Sequence, residues 1–524
     1  MPDPVDCDVL VVGAGPVGAL LACLLGDLGV SVVVVEQAQA TYDLPRAAVI
    51  DDEVLRIFQT VGVDAEVLAA SQAQRTITYR TAAGRPIEIL RPDHGPFGHP
   101  PMVSIHQPSI ERTLVARIGE IPQVELRWGT RVEAIDRAAD HVDAWVRPVA
   151  GGRRERVRSR FLVGCEGAAG AVRARIGASF AGSTFAQRWI VIDALVDRPV
   201  AHAPHPHFVG DPQRPTVSLP MSPGRHRWEF MLHPEEDPEP LLRPAKLQQL
   251  VRPWTDGAPV EIERAVVYAF HARTASRWRR GRVFLAGDAA HVMPPFVGQG
   301  FSSGARDAGN LAWKLAAVLR GAPDALLDSY EQERRPHVAQ MQRMAVRWGG
   351  VLQTTSPRTA AARDRILPAL ERIGVMEWVR ENVKPLPTYP SGAFARRPHR
   401  LPFRRGIGAL FPQPLVSEPA GPPVRLDELL GRGWGLISAD EQSAAVLGRG
   451  VERVLVLGRD LEDVEGAIGD WLARHHATWV LLRPDRYVFA LGGPAEAPRA
   501  LEALRTRVGP SAPGRVATPA AVAA

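Results

Sequence analysis

The chain has 524 residues, of which 45% are hydrophobic and 23% charged. That is too long for one ordinary core and too apolar for global disorder, so two or three folded domains are expected. The net charge of +6 comes almost wholly from arginine, with lysine only at Lys246, Lys314 and Lys384, and the arginines are scattered in short clusters, so no nucleic-acid partner is expected. The first 35 residues are apolar, but their flank is acidic (Asp3, Asp6, Asp8) and Asp27 and glycines interrupt them. They read as a buried strand-turn-helix-strand and not as a leader or membrane anchor. Cys7, Cys23 and Cys165 have no metal or disulfide spacing and read as small buried hydrophobes, which fits a cytoplasmic protein.

In chain order, Val9 to Val12 reads as a buried parallel strand, Gly13 to Gly18 as a turn, Val17 to Leu28 as a helix and Val30 to Val35 as a second strand. This is one βαβ unit. Residues 51 to 70 read as helical, with Val54, Leu55, Phe58 and Val61 on one face. Arg75 to Leu90 alternates like a hairpin, Ser109 to Ile118 is helical, and strands follow at Val124 to Trp128, Val132 to Val146 and Arg156 to Val163. Residues 1 to 185 are thus the first part of a dinucleotide-binding domain, and 186 to 265 an inserted sheet-built domain with strands at Ile190 to Val196, Val217 to Leu219 and Arg227 to Leu232. Residues 266 to 384 return to the first domain with a strand at Val283 to Ala286 and a helix at Ala305 to Leu319. Residues 385 to 425, rich in Pro, Gly and Arg, read as a linker, 426 to 510 as a small α/β domain, and 511 to 524 as a disordered tail.

Two segments carry chemistry. In VVGAGPVGALLA, Gly13, Gly15 and Gly18, with Pro16 and Val17 between them, form G-x-G-x-x-G between strand and helix. Gly13 permits the tight turn, Gly15 lets a pyrophosphate approach the backbone, and Gly18 lets the helix pack on the strand, while the helix N-terminus supplies free N–H groups. Glu36 ends the second strand, where a carboxylate can accept both hydroxyls of an adenosine ribose. A glycine turn without a ligand is the plain alternative, and the motif alone does not choose between NAD and FAD. The second segment, GRVFLAGDAAHVMPPFVGQGFSSGARDAGNLAWKLA, makes that choice. Its strand ends at Gly287-Asp288, where a carboxylate can bind a ribityl hydroxyl, and a Pro-rich turn then opens a helix whose dipole can stabilise a reduced flavin ring. The alternative for Asp288 is a helix cap.

Together GAGPVG, LPRAAVIDDEVLR, GCEGAAGAVR and AGDAAHVMPP resemble the class A FAD-dependent aromatic monooxygenases, the p-hydroxybenzoate and phenol hydroxylase superfamily. PRAAVIDDEVLRIFQTVG, QRWIVID, RRPHVAQM and LLRPDRYVFA are most similar to 3-(3-hydroxyphenyl)propionate hydroxylases. The resemblance implies an α/β fold: a Rossmann-like FAD-binding domain, an inserted β-sheet substrate domain (an α+β insert), and a thioredoxin-like C-terminal domain, here without a C-x-x-C pair and so suited to packing or to forming a homodimer. It implies that Glu36 binds the adenosine ribose, Arg46 lies along FAD, Gln107 contacts the cofactor, and Asp288 holds the ribityl chain. It also implies that Pro295, with Gly298, Gln299 and Gly300, lines the flavin ring and substrate. Pro295 and Arg46 are then the nearest candidates for a catalytic role. The family's Asp-Gly motif is here Glu166-Gly167 with Gly170 and Arg173, which changes the reach of the acid towards a nicotinamide cofactor; a structural Glu166–Arg173 ion pair is the alternative.

The implied reaction is hydroxylation of a phenolic ring through a flavin C4a-hydroperoxide, with NADH or NADPH as transient reductant and O2 as co-substrate, possible because a phenol is electron-rich at its ortho and para carbons. A base or a positive environment is then wanted. His202, His205, His207, Arg188, Arg214, Arg225 and His226 supply candidates, none of which stands out, and ordinary solvated or bonded histidines are the alternative. The three neighbouring histidines lack matching acids or cysteines, so no metal is expected. His291 reads as structural, and Trp189, Trp228 and Phe230 as pocket wall or ordinary core. Competing readings are a polyketide-tailoring hydroxylase or Baeyer–Villiger enzyme on the same flavin motifs, an NAD-dependent dehydrogenase, and a flavin-bearing scaffold; a halogenase is disfavoured because W-x-W-x-I-P is absent.

Overall fold

The computed structural model describes residues 5–74, 76–90, 95–198, 200, 203–375, 387–395 and 406–509. His202, the Arg396 to Arg405 cluster and the expected tail at 511 to 524 lie outside the described residues. The chain forms two compact units, one of residues 1–95, 99–312 and 334–385, the other of residues 96–98, 313–333 and 386–524.

The first unit holds two large sheets. In one, five parallel strands run in the order Val283–Leu285, Glu155–Gly164, Cys7–Val12, Val32–Val35, Val124–Arg127. Valines and leucines fill these strands because helices cover them, and Val9, Leu10 and Val11 are fully buried. The first half of Glu155–Gly164 turns away into an antiparallel meander with Val142–Pro148 and Thr130–Arg137. The carboxyl ends of Cys7–Val12, Val32–Val35, Glu155–Gly164 and Val283–Leu285 fall at one edge, so the loops after them share a crevice, as parallel α/β sheets require of their binding sites.

The second sheet has eight strands, in the order His291–Val292, Glu261–Ala275, Phe180–Leu195, Arg225–Met231, Thr216–Pro220, His207–Val209, Ile77–Arg80, Pro86–Leu90. Its first strand in the chain is therefore the 77–90 hairpin, far from the 186–265 stretch that supplies its middle. The sheet separates two apolar layers. One contains Ile190, Ile192, Trp228 and Phe230 under the helix Pro244–Val251; the other contains Trp189, Val217, Leu219, Met231 and Phe296. The expected helix over 51 to 70 is two, Asp52–Thr60 and Asp64–Ala69, because Gly62 takes φ 75° between them.

In the second unit a four-stranded sheet runs Arg453–Val456, Gly435–Ser438, Trp479–Leu482, Val488–Gly492. The first pair is parallel and the other two antiparallel, with Glu441–Leu447, Ala467–Arg474 and Ala497–Val508 as its main helices. Glu333 lies fully buried between Lys314 (2.8 Å) and Arg483 (2.9 Å); burial pushes its carboxyl up, but the two cations outweigh that and hold it at about 2. The stretch expected as a linker is packed in part: Tyr389, Phe394, Leu410 and Phe411 are buried, and Tyr389 stacks on Tyr487 at 4.2 Å, whereas Glu418, Pro419 and Ala420 are exposed. Composition rich in Pro and Gly misled there because a few aromatics suffice to anchor an irregular segment.

Candidate active site

At the carboxyl edge of the parallel sheet opens a cavity of about 950 Å³, at the upper end of the range for small-molecule sites. It brings together Gly13, Gly15, Pro16, Val17, Glu36, Arg46, Gln107, Asp288, Pro295, Gly298 and Gly300. Segments 13–36 and 287–300 thus meet on one space, although more than 250 residues of chain separate them.

The turn after Cys7–Val12 is dictated by its glycines. Gly13 takes φ 103°, and a Cβ on it would stand 2.6 Å from the Cys165 carbonyl oxygen. A Cβ on Gly18 would stand 1.9 Å from the Gly13 oxygen, so Gly18 packs below the turn and does not line the cavity. Gly15 is different: nothing lies within 4 Å of where its Cβ would be. A side chain there would project into open cavity, which is the space a pyrophosphate needs. The helix Pro16–Asp27 begins at this point with no side-chain cap, leaving its first N–H groups to a ligand. Glu36 lies just past the second strand, where its two oxygens accept the N–H groups of Ala14 (2.8 Å) and Ala38 (2.9 Å).

Opposite, Asp288 is surrounded by protein but its side chain faces the open cavity, and burial raises its carboxyl above the ordinary carboxylate value against His291 and Arg46, which lower it. Behind it, Asp307 accepts hydrogen bonds from the Gly287 N–H (3.0 Å), His291 Nε2 (2.7 Å) and Arg334 Nε (2.8 Å). Burial opposes its ionisation, but His291 and Arg334 hold it below the usual carboxylate range. His291 is fully buried there and has the structural role expected of it. Gly287 lies beneath Val17 and Gln299 is turned inward, where its amide bonds Asp51 (3.1 Å) and Arg306 (2.8 Å); neither lines the cavity. Arg306 also pairs with Asp51 and Glu53, all buried, so the helix Gln299–Leu319 is tied to the DDEVLR segment.

Gln107 accepts the Ala47 N–H (2.6 Å) and donates to Glu111 (2.6 Å), fixing the chain beside Arg46. Arg46 stacks its guanidinium over Tyr42 at 4.5 Å. The expected alternatives for Glu166 and Arg173 resolve differently: Glu166 accepts the Val172 N–H (2.7 Å), whereas Arg173 donates to the carbonyls of Ala168 (2.6 Å) and Ala289 (3.0 Å). They make no direct ion pair. Arg173 instead bolts the Glu166-Gly167 turn to the Asp288 turn.

The second sheet supplies the rest of the wall: Phe208, Val217, Leu219, Arg227 and Glu229 face the cavity, with Phe296 from the Pro-rich turn. Trp189 lies behind Phe296, their rings 6.0 Å apart. Trp228 and Phe230 do not form the wall; strand alternation sends them to the opposite face. His226 follows them there, bonded to Ser218 (2.8 Å) and held neutral at about 3 by burial. His207 is likewise buried and pushed down to about 4, and His205 bonds Thr78 (2.7 Å). Arg214 pairs with Glu236, Arg225 with Glu263, and Arg188 donates to the Glu236 carbonyl. None of these cationic candidates lines the cavity. Arg227, which lines it together with Arg46 and Arg131, was missed. It is held by both oxygens of Asp193 (2.6 and 3.0 Å) and donates to the carbonyls of Arg46 (2.8 Å) and Pro45 (3.1 Å). The visible signal was Asp193 alone, one charge inside the apolar run Trp189 to Leu195.

These features fit FAD: a glycine cradle open at Gly15, carboxylates at both ends, and an apolar chamber beyond the Pro-rich turn. A family model described as an FAD binding domain matches residues 6–345, and one described as the HcaD C-terminal domain matches residues 449–507. The chain belongs to the class A FAD-dependent aromatic hydroxylases. It is 37% identical over 93% of its length, and 89% of the relative's, to a 3-(3-hydroxy-phenyl)propionate/3-hydroxycinnamic acid hydroxylase of Mycobacterium sp. strain JLS. The protein of the same name from Escherichia coli O8 is 36% identical, covering 93% of this chain and 92% of the relative. Among solved structures it is similar to aklavinone-11 hydroxylase in complex with FAD and aklavinone: 26% identity, TM-score 0.78, 97% of this chain and 99% of that one. As a member of this family the hydroxylase uses NAD(P)H and O2. Bound FAD supplies the redox chemistry, taking electrons from NAD(P)H and delivering one oxygen atom of O2 to an aromatic ring. Among the described residues no helix is long and apolar enough to cross a membrane, and no cluster could hold a metal.

Proposed function

We propose that the hydroxylase acts on a single phenolic ring with a short side chain, of the kind named for the mycobacterial and E. coli relatives. The observation that carries this reading is the chamber beyond the Pro-rich turn. Phe208, Val217, Leu219, Pro295 and Phe296 line it, with Arg227 and Glu229 as the polar groups that the second sheet sets among them. Apolar walls hold the ring and exclude water; few polar groups fix its orientation. Identity over nearly the whole chain favours the same reading. The test is NAD(P)H oxidation by the flavin-loaded enzyme with 3-(3-hydroxyphenyl)propionate, 3-hydroxycinnamate and a polycyclic phenol, scoring hydroxylated product against peroxide. The single-ring reading expects coupled turnover of the first two and fails if only the polycycle is turned over. That second reading, a polycyclic polyketide substrate, draws on the likeness to the aklavinone complex.

In the same proposal Glu36 binds the adenosine ribose, Gly13, Gly15, Pro16 and Val17 cradle the pyrophosphate, and Asp288 takes the ribityl chain. Arg46, Gln107, Pro295, Gly298 and Gly300 surround the flavin ring. Gln299 acts indirectly, by anchoring the helix through Arg306. The C-terminal unit we read as thioredoxin-like. Numbering its four strands along the chain, their order in the sheet is 2-1-3-4, with only 1 and 2 parallel, and the chain has no cysteine after Cys165, so its role is packing and not redox chemistry.

A further inference from the structure

Glu229 lies in the middle of Arg225–Met231, with Val191 and Val217 as its cross-strand neighbours. The row beside it holds Arg264, Asp193, Arg227 and Leu219 in register. Glu229 is therefore the polar member of an apolar row, next to a charged row that is already paired. Its side chain is 10% exposed and opens onto the cavity beside Val217, Leu219, Phe208 and Phe296. Among the described residues no donor hydrogen-bonds it. The nearest cation, Arg227, comes within 4.0 Å at Nη1, which donates to the Arg46 carbonyl, while its Nε and Nη2 donate to Asp193 and Nη2 also to the Pro45 carbonyl. A carboxylate buried without a donor is costly unless a ligand supplies one. Burial raises its carboxyl above the ordinary glutamate value; Arg227 opposes this and Asp193 adds to it. Arg264 stands 3.7 Å beyond Asp193 in the charged row, and Arg225, further along the strand, pairs with Glu263.

We propose that Glu229 receives the phenolic hydroxyl of the substrate, accepting its hydrogen bond and then its proton as oxygen is delivered to the ring. This rests on the phenolic reading above. In that step the phenol O–H bond breaks and a carboxyl O–H bond forms on Glu229. The electron pair left on the phenolic oxygen moves into the ring, whose ortho or para carbon bonds the terminal OH of the two-electron-reduced dioxygen; the O–O bond breaks, the other oxygen leaves with its electron pair and ends as water, and the ring becomes a hydroxycyclohexadienone. Loss of the proton from that carbon to water, with return of the Glu229 proton to the former phenolic oxygen, restores the aromatic diol and the carboxylate. Electrons and oxygen come from NAD(P)H and O2, as the family's reaction supplies them. The same carboxylate repels anionic substituents, so an acidic side chain on the substrate must point away from the Val191–Glu229–Val217 row.

The flavin-loaded enzyme and its Glu229→Gln variant are compared on a phenol that supports turnover and on the O-methyl ether of that phenol. In the unaltered enzyme the ether should bind about tenfold more weakly or worse, since it cannot donate. The variant should lose this discrimination, form product about a hundredfold more slowly, consume more NAD(P)H per product, and lose the rising limb of the kcat/KM–pH profile. Full product yield with an unchanged pH limb overturns the proposal. So does an unaltered enzyme that binds ether and phenol equally, a measurement that does not depend on how the variant folds. Failure of the single-ring reading looks different: monocyclic phenols are inert while a polycyclic phenol is turned over, and the ether comparison is then made on that compound.

Discussion

Gly298 ends the Pro-rich turn with φ 64° and ψ 22°, immediately before the helix Gln299–Leu319. Replacing it with alanine sets two costs against each other in a measurable way. A left-handed alanine costs about 1–2 kcal/mol. The new Cβ would also stand 2.3 Å from Val49 Cγ2, over 1 Å inside ordinary contact, and overpacking of that kind costs about 1–3 kcal/mol. Gly298→Ala should therefore lose about 2–5 kcal/mol, divided between FAD affinity and thermal stability according to how far the turn relaxes without ligand. Val49→Ala removes the obstructing methyl, so the double variant should recover the steric share and retain only the left-handed penalty. FAD dissociation constants and unfolding midpoints of the four proteins give both parts. A Gly298→Ala protein within about 0.5 kcal/mol of the parent in both assays, or a double variant no better than the single one, would refute the reasoning.

Asp288→Ala removes a cavity-facing carboxylate that would accept a ribityl hydroxyl; a charged hydrogen bond of about 1.5–3 kcal/mol predicts FAD held about 10–150-fold more weakly, and undiminished flavin content after gel filtration would remove Asp288 from the site. Asp193→Asn leaves Arg227 and Arg264 facing each other without their shared carboxylate, at 4% and 5% side-chain exposure. Breaking such a buried pair costs about 3–5 kcal/mol, and more peroxide per NAD(P)H should accompany the lost stability; an unshifted melting curve contradicts this. His226 is held at about 3 in the fold against 6.5 free, so between those values the unfolded chain binds the proton that the folded one refuses. Stability is therefore full above about pH 7 and falls as pH drops, by about 2 kcal/mol at pH 5 from 1.5 pH units of linkage. His226→Asn should flatten the melting temperature between pH 7 and 5, and parallel curves for the two proteins would count against it.

The cofactor half of the cavity was legible because it is made of backbone. Gly13, Gly15 and Gly18 have their spacing fixed by a turn of defined shape, and Asp288 follows directly on a strand, so local sequence carries the geometry. The substrate half is built from side chains whose partners are far along the chain. Arg227 reaches back 34 residues to Asp193 and 182 to Pro45, and Arg306 reaches 255 to Asp51. No window of sequence contains such pairs. Strand parity adds a second obstacle. In Arg225–Met231 the aromatic residues Trp228 and Phe230 look like the pocket wall, but the layer under the helix Pro244–Val251 claims them, and the alternation that buries them delivers Arg227 and Glu229 to the cavity. The polar residues of this half-buried strand were the better guide to the cavity lining, because the aromatic ones answered to the core.

That arrangement also explains why substrate and cofactor sites cannot be designed independently in this fold. Arg227 and Arg264 both donate to the Pro45 carbonyl, and Arg227 to that of Arg46, so the second sheet grips the segment that carries Arg46 into the cavity. Gln107 grips the next residue, Ala47, from the dinucleotide side. Three consecutive residues are thereby held at once from the second sheet and from the helix Gln107–Gly119, and a shift in either changes where the Arg46 guanidinium sits. Glu229 belongs to the same strand as Arg227, two residues on, and a β-strand places those two side chains about 7 Å apart on one face. The group proposed to receive the phenol and the group that holds the Pro45–Arg46 carbonyls are thus spaced by the pleat itself, without any flexible element between them.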